Sequence, residues 1–107
     1  MIEVCATKGN GKYRLWIEGH AQSGAEQDAV CAGVSALVQS LVLYAAQSAT
    51  QRRLRYQLAP GQAFFSCRDV GEGFALVMGG LAAIAREYPR HLRINSCLSV
   101  DDKSEQT

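Results

Sequence analysis

Residues 19–41 read GHAQSGAEQDAVCAGVSALVQSL, and the hydrophobic period changes inside this stretch. Just before it, Tyr13, Leu15 and Ile17 alternate with Arg14, Trp16 and Glu18, the period-2 pattern of a strand with one buried face. Beyond it, Val30, Val34, Leu37, Leu41 and Tyr44 recur at helical spacing, and Val38, Val42 and Ala45 widen the stripe. The segment between, 20–27, is small, polar and glycine-containing, which predicts a mobile surface loop. The stretch therefore predicts strand, loop and then a helix over 29–48, with His20 at the strand end and Cys31 in the first helical turn.

Working outward, residues 2–7 form a short β-branched and apolar run, and Gly9-Asn10-Gly11 is a turn signal. Together with 13–18 this predicts an N-terminal hairpin. Residues 53–58 and 63–68 predict two more strands around the turn Ala59-Pro60-Gly61. In the second of these, Phe64 and Phe65 should face opposite sides. A second helix is expected over 72–88, with Phe74, Val77, Leu81, Ile84 and Tyr88 buried. Gly79 and Gly80 inside it cost ~1 kcal/mol each relative to alanine. Close approach to the first helix, whose Ala32, Gly33 and Ala36 are also small, would account for them. Pro89 ends that helix, a last strand is expected over 91–100, and 101–107 is a polar tail. The order ββαββαβ predicts one α+β domain over 1–100, a mixed β-sheet with two helices packed on one face.

The 107 residues suffice for one core, and 48% hydrophobic with 20% charged residues is an ordinary globular composition. A formal net charge of +1 creates no field that recruits nucleic acid, so no direct nucleic-acid binding is expected. No run approaches the ~20 apolar residues of a membrane span, and the N-terminus MIEVCATKGN is not a secretory signal. Cys5, Cys31, Cys67 and Cys97 contain no C-x-x-C pair, which predicts four reduced thiols and a cytoplasmic protein. Cys5, Cys67 and Cys97 lie in strand-like runs and read as core or edge thiols. His91 reads as a helix-end or surface residue. Arg52, Arg53 and Arg55 read as a solvated strand entrance or, less simply, as a contact for a substrate segment or RNA. The absence of short paired Cys/His spacings argues against a zinc site, and no metal or other cofactor is expected.

The chemistry resides in the pair at the centre. A cysteine attacks as its thiolate, which a helix N-terminus or a neighbouring imidazolium favours. Cys31 would lie beside the free N–H groups of the first turn, which could also bind an oxyanion. His20, eleven residues earlier, could serve as base toward the thiol and acid toward a leaving group. Asp28 could cap the helix by accepting the Cys31 N–H, which sets a negative charge near the thiolate, or could orient His20 instead. Ser35, one turn below Cys31, could hydrogen-bond in the site or to its own helix. Equally, the cysteine could be a core residue and the histidine a surface group.

The block GHAQSGAEQDAVCAGVSAL, a strand-end Gly-His, a loop and then D-x-V-C-A-x-V-S-A-L, resembles the signature of the ribosomal-processing cysteine protease Prp family. The resemblance extends to the hairpin, the Tyr88-Pro89 helix end and the length. It implies Cys31 as nucleophile, His20 as general base and acid, and Gly19, Asp28 and Ser35 as supporting positions. It further implies a cytoplasmic homodimer that removes an N-terminal extension from a large-subunit ribosomal protein, cutting after an aromatic-apolar motif, with the His-to-Cys loop gating access. That loop is one residue shorter here than the family pattern. Two rival readings keep the same residues: a non-catalytic module that binds a ribosomal protein or ribosome precursor, and a redox-sensing thiol.

Overall fold

The computed structural model describes residues 1–47 and 53–96. Its elements follow the expected order: β1 (Ile2–Gly9), β2 (Lys12–Glu18), α1 (Gln27–Gln47), β3 (Arg55–Ala59), β4 (Gln62–Arg68), α2 (Gly71–Glu87) and β5 (Leu92–Ser96). The expected domain limit at 100, the tail 101–107, Arg52 and Cys97 lie outside the described residues.

The strands form one mixed sheet in the order β3-β4-β2-β1-β5. Among the described strands only β1 and β5 pair in parallel; the β1–β2, β2–β4 and β3–β4 ladders are antiparallel. Asn10 and Gly11 both hold positive φ, 53° and 77°, the conformation that a two-residue hairpin loop requires. Alternation then sends Val4, Leu15, Ile17, Phe65 and Leu92 to one face, where they meet Val30, Val34, Val38 and Leu41 of α1 and Phe74, Val77 and Leu81 of α2. Each large side chain so buried contributes roughly 1.5–3 kcal/mol of transfer free energy. Phe65 is fully buried, whereas Phe64 lies on the opposite face against Trp16, with ring centroids 5.6 Å apart.

Several expectations need correction. By length and composition α1 is apolar enough to cross a membrane, contrary to the sequence reading. Its Val30, Val34, Val38, Leu41, Val42 and Ala45 stripe is nevertheless spent on the domain core. Cys5 is disulfide-bonded, so the four cysteines are not all reduced; Cys31 and Cys67 keep their thiols. The loop after His20 is anchored, because Ala21 is buried against the core.

The two adjacent glycines of α2 separate cleanly. A Cβ on Gly80 would lie 2.8 Å from Leu37 Cδ2, while one on Gly79 meets nothing within 4 Å. Of the two, Gly80 marks the helix–helix approach and faces Leu37, while the expected small residue Gly33 meets Ile84 of α2, where a Cβ would lie 3.3 Å from Cδ1. Gly79→Ala should therefore raise stability by up to ~1 kcal/mol, and Gly80→Ala should lower it. Urea denaturation midpoints with unchanged m-values check both.

Across the parallel pair, Arg93 donates to both oxygens of Glu3 (3.2 and 2.7 Å), and Asn95 Nδ2 donates to Oε1 at 2.7 Å. These bonds, Arg93 first, hold the Glu3 carboxyl below its usual 4.5. A depressed carboxylate stabilises the fold above its unfolded value and loses that contribution as pH falls through the folded one. Glu3→Gln should thus flatten the loss of stability below pH 4.5, read as thermal midpoint against pH.

Candidate active site

β2 ends at Glu18 and delivers Gly19 and His20 beyond the sheet. Gly19 has φ +104°, and a Cβ there would run into the Met1 carbonyl, so glycine is required where the chain turns past the start of β1. Its N–H donates to the Gly61 carbonyl (2.8 Å), extending the β2–β4 ladder by one bond. The His20 carbonyl accepts a 2.8 Å bond from the Met1 amino group. On its other side stands the β3–β4 turn. Gly61, at φ +75°, comes so near the imidazole that a Cβ would lie 2.5 Å from Nε2 and 2.8 Å from Cε1. The histidine is thus exposed to solvent but set between the chain start and the second hairpin.

α1 supplies the thiol. The helix begins two residues earlier than expected, and Val30 N–H donates to the Glu26 carbonyl (3.0 Å), which makes Glu26 the N-cap. Asp28 is accordingly a first-turn residue that complements the helix dipole, not the cap, and it is exposed. Cys31 is the fifth helical residue, so its own N–H is committed to the i−4 carbonyl inside the helix. The expectation that Cys31 sits among free first-turn amides fails for this reason. One and two turns further, Ser35 and Gln39 follow on the same row, with Gln39 Nε2 donating to Ser35 Oγ at 2.7 Å.

These residues meet in one cleft of about 540 Å³, lined by Gly19, His20, Cys31, Ser35 and Gln39 and by apolar Ile2, Ile17, Val34, Val38, Leu58, Pro60 and Ala63. Four of the five positions singled out in the sequence line it: Gly19, His20, Cys31 and Ser35. Asp28 does not. The half-buried thiol and the imidazole open onto the same space, with apolar walls alongside. This is what nucleophilic attack on an extended peptide with an apolar side chain requires. Two contributors were missed. Gln39 carries no motif, and Gly61 reads only as a turn glycine until the sheet order brings its hairpin to the end of β2. Among the described residues no three His, Cys, Asp or Glu side chains gather as metal ligands.

The chain resembles the ribosomal processing protease Prp from S. aureus in complex with a substrate peptide, at 28% identity and a TM-score of 0.69 over 90% of this chain and 99% of that one. The same protease with a covalently linked product peptide gives 27% identity and a TM-score of 0.68 over the same shares. SMU.848 from Streptococcus mutans shares the fold, at 23% identity and a TM-score of 0.68 over 90% of this chain and 93% of that one. No curated protein gives a significant match. The sequence model of the family described as cysteine protease Prp matches residues 1–93, and the chain belongs to that family.

Proposed function

We propose that the chain is a cysteine endopeptidase that removes the N-terminal extension of a large-subunit ribosomal protein, with Cys31 as nucleophile and His20 as general base and acid. The observation that carries this reading is that a free thiol from α1 and an imidazole from the end of β2 line one apolar-walled cleft. The similarity to a ribosomal processing protease bound to its substrate peptide supports the substrate class. His20 accepts the thiol proton, and the Cys31 sulfur attacks the scissile carbonyl carbon to give a tetrahedral oxyanion. Collapse expels the amine, protonated by His20, and leaves a thioester. Water, deprotonated by His20, attacks the thioester; the carboxylate product departs and Cys31 regains its proton. Beyond the peptide and one water, these steps use only side chains of the protein. Gly19 lets the chain carry His20 to the cleft, Ser35 and Gln39 supply polar atoms beside the thiol, and Asp28 favours the helix start.

The working unit is a cytoplasmic homodimer. The sheet face opposite the helices carries Trp16 and Phe64 and is left uncovered by the described residues, which supports a second subunit there. A net charge of +1 supports a protein rather than a nucleic-acid partner. The test is incubation with the host's own precursor of the ribosomal protein, read as intact mass. A single N-terminal truncation is expected. Stable binding with no mass change would establish the non-catalytic module instead.

A further inference from the structure

His91 takes no part in the chemistry above; it stands at the helix end, as one of the two expected readings had it, yet it is only 7% exposed and so is not the surface residue of the other. It stands between α2 and β5, with its N–H donating to the Tyr88 carbonyl (2.9 Å) and its carbonyl accepting from Ile2 N–H (2.8 Å). The Tyr88 ring lies edge-on at 6.3 Å. Both ring nitrogens face the connector that runs from His20 to α1. Gln22 N–H lies 3.0 Å from Nδ1, and Glu26 Oε1 lies 3.1 Å from Nε2.

The tautomer follows from these neighbours. A backbone N–H can only donate, so Nδ1 is an acceptor, the ring is neutral, and its proton sits on Nε2, where it is donated to the Glu26 carboxylate. The contact is a charge-assisted hydrogen bond from a neutral imidazole rather than an ion pair. Its placement is informative. Gln22 follows His20 by two residues, and Glu26, whose carbonyl accepts the first bond of α1, precedes Cys31 by five. One buried ring therefore ties down both ends of the connector.

We propose that His91 is a positioning residue, which fixes the alignment of His20 and Cys31 by fastening both ends of their connector to the head of β5. The proposal rests on the reading of those two residues as the reacting pair. His91 touches neither the cleft nor the substrate, and it acts through Gln22 and Glu26.

Three substitutions separate the two bonds. His91→Asn retains an acceptor near Nδ1, His91→Gln retains a donor near Nε2, and His91→Leu fills the space with neither. Amide exchange at Gln22 should accelerate about tenfold or more in His91→Gln and His91→Leu, the equivalent of one lost hydrogen bond. His91→Asn should keep it slow. On an extended-precursor peptide kcat should fall about tenfold in His91→Leu while KM changes less than about threefold, because alignment rather than binding is lost. Alkylation of Cys31 should change rate in the same variant. Glu26 is largely exposed, so Glu26→Ala tests the Nε2 bond without burial effects. It should reproduce part of the kcat loss, and Glu26→Gln, which keeps an acceptor, should restore most of it. Unchanged Gln22 exchange in His91→Leu, or losses of kcat that merely track thermal stability across the series, would overturn the proposal. If the wild type cleaves nothing, the protease reading fails, while exchange and alkylation still decide whether the connector is fastened by His91.

Discussion

Cys31→Ala is expected to lower kcat/KM for an N-terminally extended ribosomal-protein precursor by on the order of 10⁵-fold or more, to background. On the proposed mechanism the substitution removes the sulfur that forms the acyl bond, and among the described residues lining the cleft no second thiol stands in for it. Ser35 lies a full turn away with its oxygen engaged by Gln39. Alanine is the best helix former and Cys31 is only half-buried, so the fold should survive. Initial rates by mass spectrometry, with far-ultraviolet circular dichroism on the same samples, check both halves of this result. Cleavage within tenfold of the wild type would exclude Cys31 as nucleophile. Equal binding of the precursor by both proteins, with cleavage by neither, would point toward the non-catalytic module.

Gly61→Ala should cost about 10²-fold in kcat, although residue 61 is forty-one positions from His20 and carries no reactive group. Two effects combine. An alanine at φ +75° strains the backbone by ~1–2 kcal/mol. Its methyl would also stand 2.5 Å from His20 Nε2, where ordinary carbon contacts begin near 3.4 Å, so the imidazole must leave its place. Gly61→Asn divides the two contributions, since asparagine tolerates positive φ yet still carries a Cβ. It should recover stability but not activity. The comparison is between thermal midpoints and kcat for the two variants. Activity returning together with stability would mean that the turn, not the imidazole, was disturbed.

These two predictions mark a division in what could be read from the chain. Cys31 and His20 are visible in the sequence because each sits where a period changes: the alternation of β2 ends at Glu18, and the helical stripe begins near Val30. Local pattern also sufficed for the seven described elements in order, with limits shifted by one or two residues at most of the described ends. Gly61 was legible as a turn residue but not as a neighbour of His20. That contact depends on β4 pairing with β2, so that Glu18 faces Gln62 and the β3–β4 turn arrives beside the end of β2. The cap of α1 was misassigned for a related reason. Asp28 has the better capping side chain, but the helix starts at Gln27, where Glu26 is held by His91 from the far side of the domain.

By itself, then, the sequence determined the secondary structure and the fold class, because those follow from side-chain period and local backbone preference over a few residues; it made Cys31 and His20 candidates by their places in that pattern, and the resemblance of the surrounding block to the family signature is what singled them out. The tertiary structure decided the strand order β3-β4-β2-β1-β5, the walls of the cleft, the exclusion of Asp28 from it and the contacts that Gly61 makes with His20, Gln39 with Ser35 and His91 with Gln22 and Glu26. Each of these is a meeting of distant segments. Such meetings are fixed by which apolar faces bury against one another and which polar atoms then find partners, and no short window of the chain carries that information.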